Sequence, residues 1–414
     1  MTLFRGFLVL LVLAAPVVRA GVLPGFRVET LARGEGFVSS VVTDSKGTIY
    51  FTTTDGWIHR VDGSQATRVA SLPTRAGGNG GLLGMVLTDD RTAVVHYTTW
   101  NDDPGEHAKV LDDVISRVDL ATGAELILHE FVCDIDTRQH GASSEHHGGN
   151  LALGPDGSVF FGIGDYGTNI LAQKPEWNAG KIWRVYPNGN ATQWGFGLRN
   201  PYDLAWDPEL EAVVVGDNGP NAGDEIHVVG RGENCGWPQT YGTHSPAEGA
   251  NVPVYVFPET VAPTGLLRLN GTVPLLRRGY LLGAFVSRGL YYFPTFSAPP
   301  VAVLKDFDEY VIDVTQAPDG DLVFVTAAFT GQSAVHRLHV PGRGDCNGDG
   351  ATDWRDIFPT MLEASDGGPH PTITAQDGEL GGSWGCDANA DGMIDSSDLR
   401  ALNAMLANKR RAVR

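Results

Sequence analysis

The chain has 414 residues, with 49 Asp+Glu against 30 Lys+Arg and a formal net charge of −19. No basic patch dominates, which argues against nucleic acid or an anionic membrane surface as the main partner and suits divalent cations. Its 53 Gly and 24 Pro exceed the roughly 12% of an average chain and follow no three-residue period. That excludes collagen-like and disordered chains and points to many short strands and tight turns, while 42% hydrophobic residues are enough for a large core in two domains or one large one.

Residues 1–20 read as a secretory signal. Arg5 supplies a positive start, residues 7–18 form an apolar run, and Val18-Arg19-Ala20 offers a cleavage site after Ala20. A membrane anchor is the alternative, but the run contains Pro16 and is short for a span of roughly 20 residues. No later stretch is apolar enough to cross a bilayer, so no membrane span is expected. Export places Cys133, Cys235, Cys346 and Cys386 in an oxidising compartment. Three pairings are possible, and the domain split below favours Cys133–Cys235 with Cys346–Cys386.

From residue 21 to about 342 the chain reads as strand, turn, strand. Runs such as 47–52, 157–162 and 321–325 follow Lys46-Gly47, Asp156-Gly157 and Asp319-Gly320 turns. Residues 57–61 and 181–185 alternate and end in turns at Asp62-Gly63 and Pro187-Asn188-Gly189. Recurrent units with almost no helical periodicity predict a mainly β fold, either radially repeated or a two-sheet sandwich.

The character changes after Val340. Pro341-Gly342-Arg343-Gly344 reads as a linker, and 343–414 as a second, small domain. Residues 345–356 place Asp345, Asn347, Asp349, Asp353 and Asp356 at loop positions 1, 3, 5, 9 and 12, with Gly350 at position 6 and the carbonyl of Ala351 at position 7. Residues 387–398 repeat this with Asp387, Asn389, Asp391, Asp395, Asp398, Gly392 and the carbonyl of Met393. Calcium takes six to eight hard oxygens, and a twelve-residue loop wraps one ion if position 6 turns sharply. Two bound calcium ions are therefore expected. Leu399, Leu402, Met405 and Leu406 recur at helical spacing after the second loop.

With Asp at position 12, this duplicated loop-and-helix pattern resembles a type I dockerin, a small α-helical domain with two EF-hand-type loops. The resemblance implies docking onto a cohesin-like or cell-surface partner. The departures are a 42-residue offset between loops, a Gly-rich insert, and Pro359, which interrupts the first helix soon after its start. A calcium-stapled stability module is the alternative.

The main domain holds His146-x-Gly148-Gly149-x-Leu151, Gly164-Asp165-Tyr166-Gly167, Gly197-x-Arg199-Asn200-Pro201, Asp217-Asn218-Gly219-Pro220 with Glu225-Ile226, Asn234-Cys235-Gly236-Trp237-Pro238, and the earlier Gly78-Asn79-Gly80-Gly81. In this order they resemble the glucose/sorbosone dehydrogenase family, six-bladed β-propellers that hold pyrroloquinoline quinone (PQQ) and oxidise aldoses. The resemblance implies His146 as the base for the anomeric hydroxyl and Asp165 as the carboxylate behind it. It implies Arg199 and Asn200 as quinone contacts, and Asn79 and Asn218 where a longer amide is usual. The carbonyls of Gly219 and Pro220 would hold a calcium beside the quinone. The family's lysine is absent after Leu281-Leu282-Gly283-Ala284-Phe285, where only Arg288 is basic. Tyr310 and Ile312 stand where the family carries an Arg-x-Arg pair. The expectation is a secreted, PQQ- and calcium-dependent enzyme acting on an aldose or oligosaccharide. The alternative is a non-catalytic sugar- or protein-binding propeller that has lost PQQ, in a polysaccharide-related extracellular assembly.

Overall fold

The computed structural model describes residues 21–412, apart from 24, 35, 77, 101–110, 134–141, 245–247, 272–275, 277, 329–331, 366–369 and 372–383. The expected signal at 1–20 and most of the Gly-rich insert lie outside the described residues. Six antiparallel sheets follow one another along the chain as blades. Blade 1 spans 38–71, blade 2 82–131, blade 3 151–196 and blade 4 201–256. Blade 5 spans 263–305 and blade 6 310–339. The fold is a six-bladed β-propeller, so the radial arrangement is the one adopted and the sandwich is not.

The ring is closed by the N-terminal segment. Strand Arg27–Gly34 pairs with Ser333–His339 as the outer strand of blade 6. Gly21–Val22 pairs with Lys305 and Leu304 at the outer edge of blade 5. Sequence-distant strands thereby cover two edges that would otherwise be left open.

Each blade is sandwiched between two others, which explains the composition of its second strand. Ile49–Thr53, Val159–Ile163, Ala212–Asp217, Tyr280–Ala284 and Leu322–Ala327 are buried along their whole length. A strand covered on both faces reads as a continuous apolar run. The core is accordingly six separate layers, one at each blade junction. Tyr50, Ile58, Met85 and Val95 meet between blades 1 and 2. Leu281, Leu290, Phe324 and Leu338 meet between blades 5 and 6. Each fully buried Leu, Ile, Val or Phe contributes about 1.5–3 kcal/mol.

A polar knot crosses the axis of the ring. The innermost strands bulge near their starts in blades 1, 2, 4, 5 and 6, freeing backbone N–H groups from the ladder. Asp313 Oδ2 accepts from Ser40 Oγ, Val41 N and Asn150 Nδ2 at 3.0, 2.7 and 3.0 Å. Asn150 Oδ1 accepts from Met85 N at 3.1 Å, and Asp203 Oδ2 from Leu266 N at 2.7 Å. All six blades thus contribute a group. Burial pushes both carboxyls up, Asp313 to about 7.

The cysteine pairing is corrected in one half. Cys346 and Cys386 form a disulfide, but Cys133 and Cys235 do not. Both are buried in different layers, Cys133 between blades 2 and 3 and Cys235 between blades 3 and 4.

After the sheets come a short 3-10 turn, Trp354–Asp356, and helices α1 (Ile357–Ser365) and α2 (Ser396–Ala412). Pro359 does not break α1, contrary to the expectation. It lies in the first turn, where its missing N–H costs no helical hydrogen bond. Among the described residues no helix is long and apolar enough to cross a membrane.

Candidate active site at the mouth of the ring

Every innermost strand enters the ring from the same face, and every second strand leaves towards it. The segments just before the former and just after the latter therefore ring one mouth. His146 precedes blade 3, Arg199 and Asn200 precede blade 4, and Tyr310 opens blade 6. Asp165, Asn218 and Phe285 lie at the exits of second strands in blades 3, 4 and 5. Backbone hydrogen bonds tie these segments together: Asp165 N to Arg199 O at 2.8 Å, Asn218 N to Asn200 O at 3.1 Å, and Phe285 N to Ala262 O at 2.9 Å.

The approach is close enough to dictate glycines. A Cβ on Gly164 would lie 2.4 Å from the His146 carbonyl oxygen and 2.8 Å from that of Arg199. On Gly148, at φ +77°, it would lie 2.0 Å from the Gly162 carbonyl oxygen.

His146 Nδ1 lies 2.7 Å from Asp165 Oδ1. An ionised carboxylate only accepts, so Nδ1 carries the proton and Nε2 is left as a base. Asp165 is itself fixed. Its Oδ2 accepts from the Trp237 indole N–H at 2.9 Å and its Oδ1 from Gly167 N at 3.0 Å. The Asp165 carboxylate is 3% exposed and the imidazole 13%, so the carboxylate sits behind the ring and the ring faces outwards. A proton taken at Nε2 would leave an imidazolium that Asp165 stabilises.

Arg199 and Asn200 stand on a carboxylate of their own. Asp217 accepts from Arg199 N at 2.9 Å and Asn200 N at 2.6 Å. Burial pushes its carboxyl up to about 7, against the backbone bond from Arg199. The Arg199 guanidinium donates to the carbonyls of Asn218 and Gly219 at 2.8 and 3.1 Å and lies over the Trp237 ring at 5.9 Å. The Gly219 carbonyl, expected to hold calcium, thus already carries a guanidinium. Gly219 N donates to Asp224 at 2.9 Å, and Pro220 follows half-buried. Asn218 Nδ2 donates to Asn200 O and Pro263 O at 3.3 and 3.0 Å, so its amide braces blade 4 against blade 5. Asn79 is exposed, its N–H bonded to Ser144 O at 2.8 Å.

On the blade 5–6 side the mouth is aromatic. Phe285 and Tyr310 stack with centroids 4.4 Å apart, and Ile312 is buried in the blade 6–1 layer. Arg288 lies in the turn beyond Phe285 at φ +49°.

The glucose / sorbosone dehydrogenase pattern matches residues 37–335. The chain belongs to this family. That places it, at the level of the family, among sugar oxidoreductases. Within the family it is 25% identical over 295 residues to aldose sugar dehydrogenase YliI of Escherichia coli, covering 62% of this chain and 77% of the relative. It is 30% identical over 132 residues to quinoprotein glucose dehydrogenase B of Acinetobacter calcoaceticus, 24% of this chain and 27% of that one. Among solved structures, the PQQ-bound aldose sugar dehydrogenase of Streptomyces coelicolor superposes with a TM-score of 0.62 at 23% identity, covering 77% of this chain and 99% of that one. The soluble aldose sugar dehydrogenase of Escherichia coli gives 0.65 at 20% identity, covering 76% and 99%.

Within this family's fold, the residues reasoned from sequence fall into two clusters, His146 with Asp165 and Arg199 with Asn200, Asn218, Gly219 and Pro220. Asn79 stands apart from both. Sequence reasoning missed the supports: Trp237 behind Asp165, Asp217 under Arg199, and Asp224 under Gly219.

PQQ is an anionic ortho-quinone. The cofactor's carboxylates and quinone oxygens need donors and positive charge when buried. Arg199 offers a guanidinium to such oxygens and His146 a base for the substrate, while Asn200 Oδ1, buried without a hydrogen-bond partner among the described residues, is an acceptor open to a donor such as the cofactor's N–H. This set fits the quinone on the blade 3–4 side.

Proposed function

We propose that this chain is a PQQ-dependent dehydrogenase that oxidises an aldose at its anomeric carbon. The observation that carries the reading is the His146–Asp165–Trp237 chain of hydrogen bonds at the mouth of the ring. PQQ, when bound, supplies the hydride acceptor. His146 Nε2 takes the proton of the anomeric hydroxyl, and Asp165 stabilises the charge that forms. Arg199 and Asn200 hold and orient the cofactor, and the Asn218 amide braces the turn beside them. The Gly219 and Pro220 carbonyls would hold a calcium that polarises the acceptor, with Gly219 shared with the Arg199 guanidinium, which also donates to the Asn218 carbonyl.

The deciding experiment is titration of PQQ onto calcium-loaded protein, followed by quinone absorbance and by dye reduction with an aldose. Saturable binding at micromolar PQQ with aldose-dependent turnover is expected; no bound quinone at that concentration would sink the reading. The Phe285–Tyr310 stack, on the side where countercharge is missing, favours a second reading in that event: a sugar- or protein-binding propeller without PQQ.

For 343–414 we propose a calcium-binding domain of dockerin type, joined to a propeller of 21–342 and exported behind a signal at 1–20. The buried Cys346–Cys386 disulfide suits secretion to the periplasm or the medium. The two loops share one hydrogen-bond pattern. Asp345 accepts from Asp349 N and Gly350 N, as Asp387 does from Asp391 N and Gly392 N. Asp356 accepts from Asn347 N and Asp353 N, as Asp398 does from Asn389 N and Asp395 N. Asp345 and Asp398 have raised carboxyls, from burial first and then from neighbouring carboxylates. Oxygen side chains at positions 1, 3, 5, 9 and 12 of each loop, with a carbonyl at position 7, are the ligands that calcium takes. The ligands are Asp345, Asn347, Asp349, the Ala351 carbonyl, Asp353 and Asp356, then Asp387, Asn389, Asp391, the Met393 carbonyl, Asp395 and Asp398. Trp354 and Phe358, 69% and 61% exposed, favour docking to a cohesin-like partner over a purely stapling role. Chelation should abolish the helical circular dichroism of α1 and α2 and leave the β signal; a helical signal that ignores chelator would contradict this.

A further inference from the structure

The His146–Asp165 pair rests on unusual backbone. His146 has φ +57°, and Tyr166, directly after Asp165, has φ +55°. Neither is glycine, and side chains persist in the left-handed region only where their surroundings over-determine them. One buried carboxylate reaches both halves.

Asp113 belongs to blade 2, in strand Asp112–Asp119. Its oxygens lie 3.0 and 3.1 Å from Nδ1 of His147, the residue after His146. Its Oδ2 accepts from the hydroxyl of Tyr166 at 3.1 Å. Its Oδ1 also lies 3.0 Å from His96 Nε2, while His96 Nδ1 lies 2.9 Å from the Gly149 carbonyl oxygen. Asp113, His96, His147 and Tyr166 are all fully buried. His96 thus bridges the Asp113 carboxylate and the Gly149 carbonyl. Burial alone would raise the Asp113 carboxyl, but His147 and His96 outweigh it and hold it down to about 2. His147 Nε2 has no hydrogen-bond partner among the described residues, so Asp113 is the polar attachment of that ring.

We propose that Asp113 is a positioning residue for the His146–Asp165 pair: it grips His147 and Tyr166, the chain neighbours of the base and of its carboxylate, and so holds the two halves in hydrogen-bond register across the junction of blades 2 and 3. The role assigned to the pair rests on the dehydrogenase reading, but the geometry of the pair does not. Asp113 touches neither member and acts through the backbone of each.

The experiment uses the full chain labelled with ¹⁵N-histidine, without sugar or cofactor, and reads the His146 ring nitrogens across pH. In the wild type, His146 should be the Nδ1-protonated tautomer when neutral. Tyr166→Phe deletes one hydroxyl and Asp113→Asn weakens the whole grip. Both should mix the His146 tautomers and displace its titration midpoint, Asp113→Asn by more. Tyr97→Phe is the control. It removes the hydroxyl of another buried tyrosine, which donates to Glu125 Oε1 at 2.7 Å, and should leave His146 unchanged. In turnover, Tyr166→Phe should lower kcat by about tenfold with KM within about twofold, the pattern of a misplaced catalytic group. If Asp113→Asn does not fold, Tyr166→Phe decides. Wild-type His146 spectra in folded Tyr166→Phe overturn the proposal, as does an equal disturbance in Tyr97→Phe. Absence of turnover with every aldose would count against the dehydrogenase reading and leave the nitrogen spectra to judge the positioning role.

Discussion

Two arcs of the same mouth are built from the same backbone plan and carry opposite chemistry. On the blade 3–4 arc, a strand exit meets a strand start and delivers His146, Asp165, Arg199 and Asn200, backed by Asp217 and Trp237. On the blade 5–6 arc the corresponding junction delivers the Phe285–Tyr310 stack, and Ile312 turns into the core. The propeller supplies six near-equivalent places for side chains. On the polar arc, the turns that carry His146, Arg199 and Asn200 are tied to the buried carboxylates of Asp165 and Asp217.

His146→Ala attacks the polar arc most directly. Turnover should fall by about 10²–10⁴-fold, the range of a lost general base, while PQQ titrates as in the wild type. Steady-state rates paired with quinone absorbance check both halves, and undiminished turnover would refute the base assignment. Tyr310→Arg asks whether the arcs can be made alike. A guanidinium on the aromatic side should tighten PQQ by about tenfold if the cofactor reaches it. An unchanged dissociation constant would confine the cofactor to the blade 3–4 side.

The smallest effect concerns the axis beneath both arcs. The Asp313 carboxyl is raised to about 7 by burial, so between the unfolded value and about 7 the folded state holds the proton more tightly. Its contribution to stability is complete below about pH 4 and is lost as pH rises through about 7. Asp313→Asn, which stays neutral, should be flatter across that window by on the order of 1 kcal/mol or more, measured by urea unfolding at several pH values. An identical pH slope in the variant would show that Asp313 does not carry this proton.

Much of the architecture was legible because burial on both faces writes continuous apolar strands, and turns write Asp-Gly and Asn-Gly. The His146 and Arg199 motifs were legible as a resemblance to the family, and close backbone approach is the physical reason for the glycines beside them. The supports were not legible. Asp113, Asp203 and Asp313 lie within or at the start of otherwise apolar strands, where a lone aspartate looks the same whether it caps, braces or does nothing. A carboxylate inside an apolar run is the one signal that could have singled them out. Cys133 and Cys235 were misjudged for the same reason, since co-membership in a domain says nothing of which layer a side chain enters.

The sequence alone determined that this chain repeats short strands, ends in two oxygen-rich loops with helices, and carries the glycine-framed motifs of its family. Periodicity, turn chemistry and ligand spacing are local properties, readable within about a dozen residues. Only the tertiary structure decided that Trp237 holds Asp165 from behind, that Arg199 lies on the Gly219 carbonyl, and that Tyr310 stacks on Phe285 while Ile312 turns into the core. Those outcomes depend on which strand ends the closed ring brings to its mouth, and that is set by packing between blades rather than by any single segment.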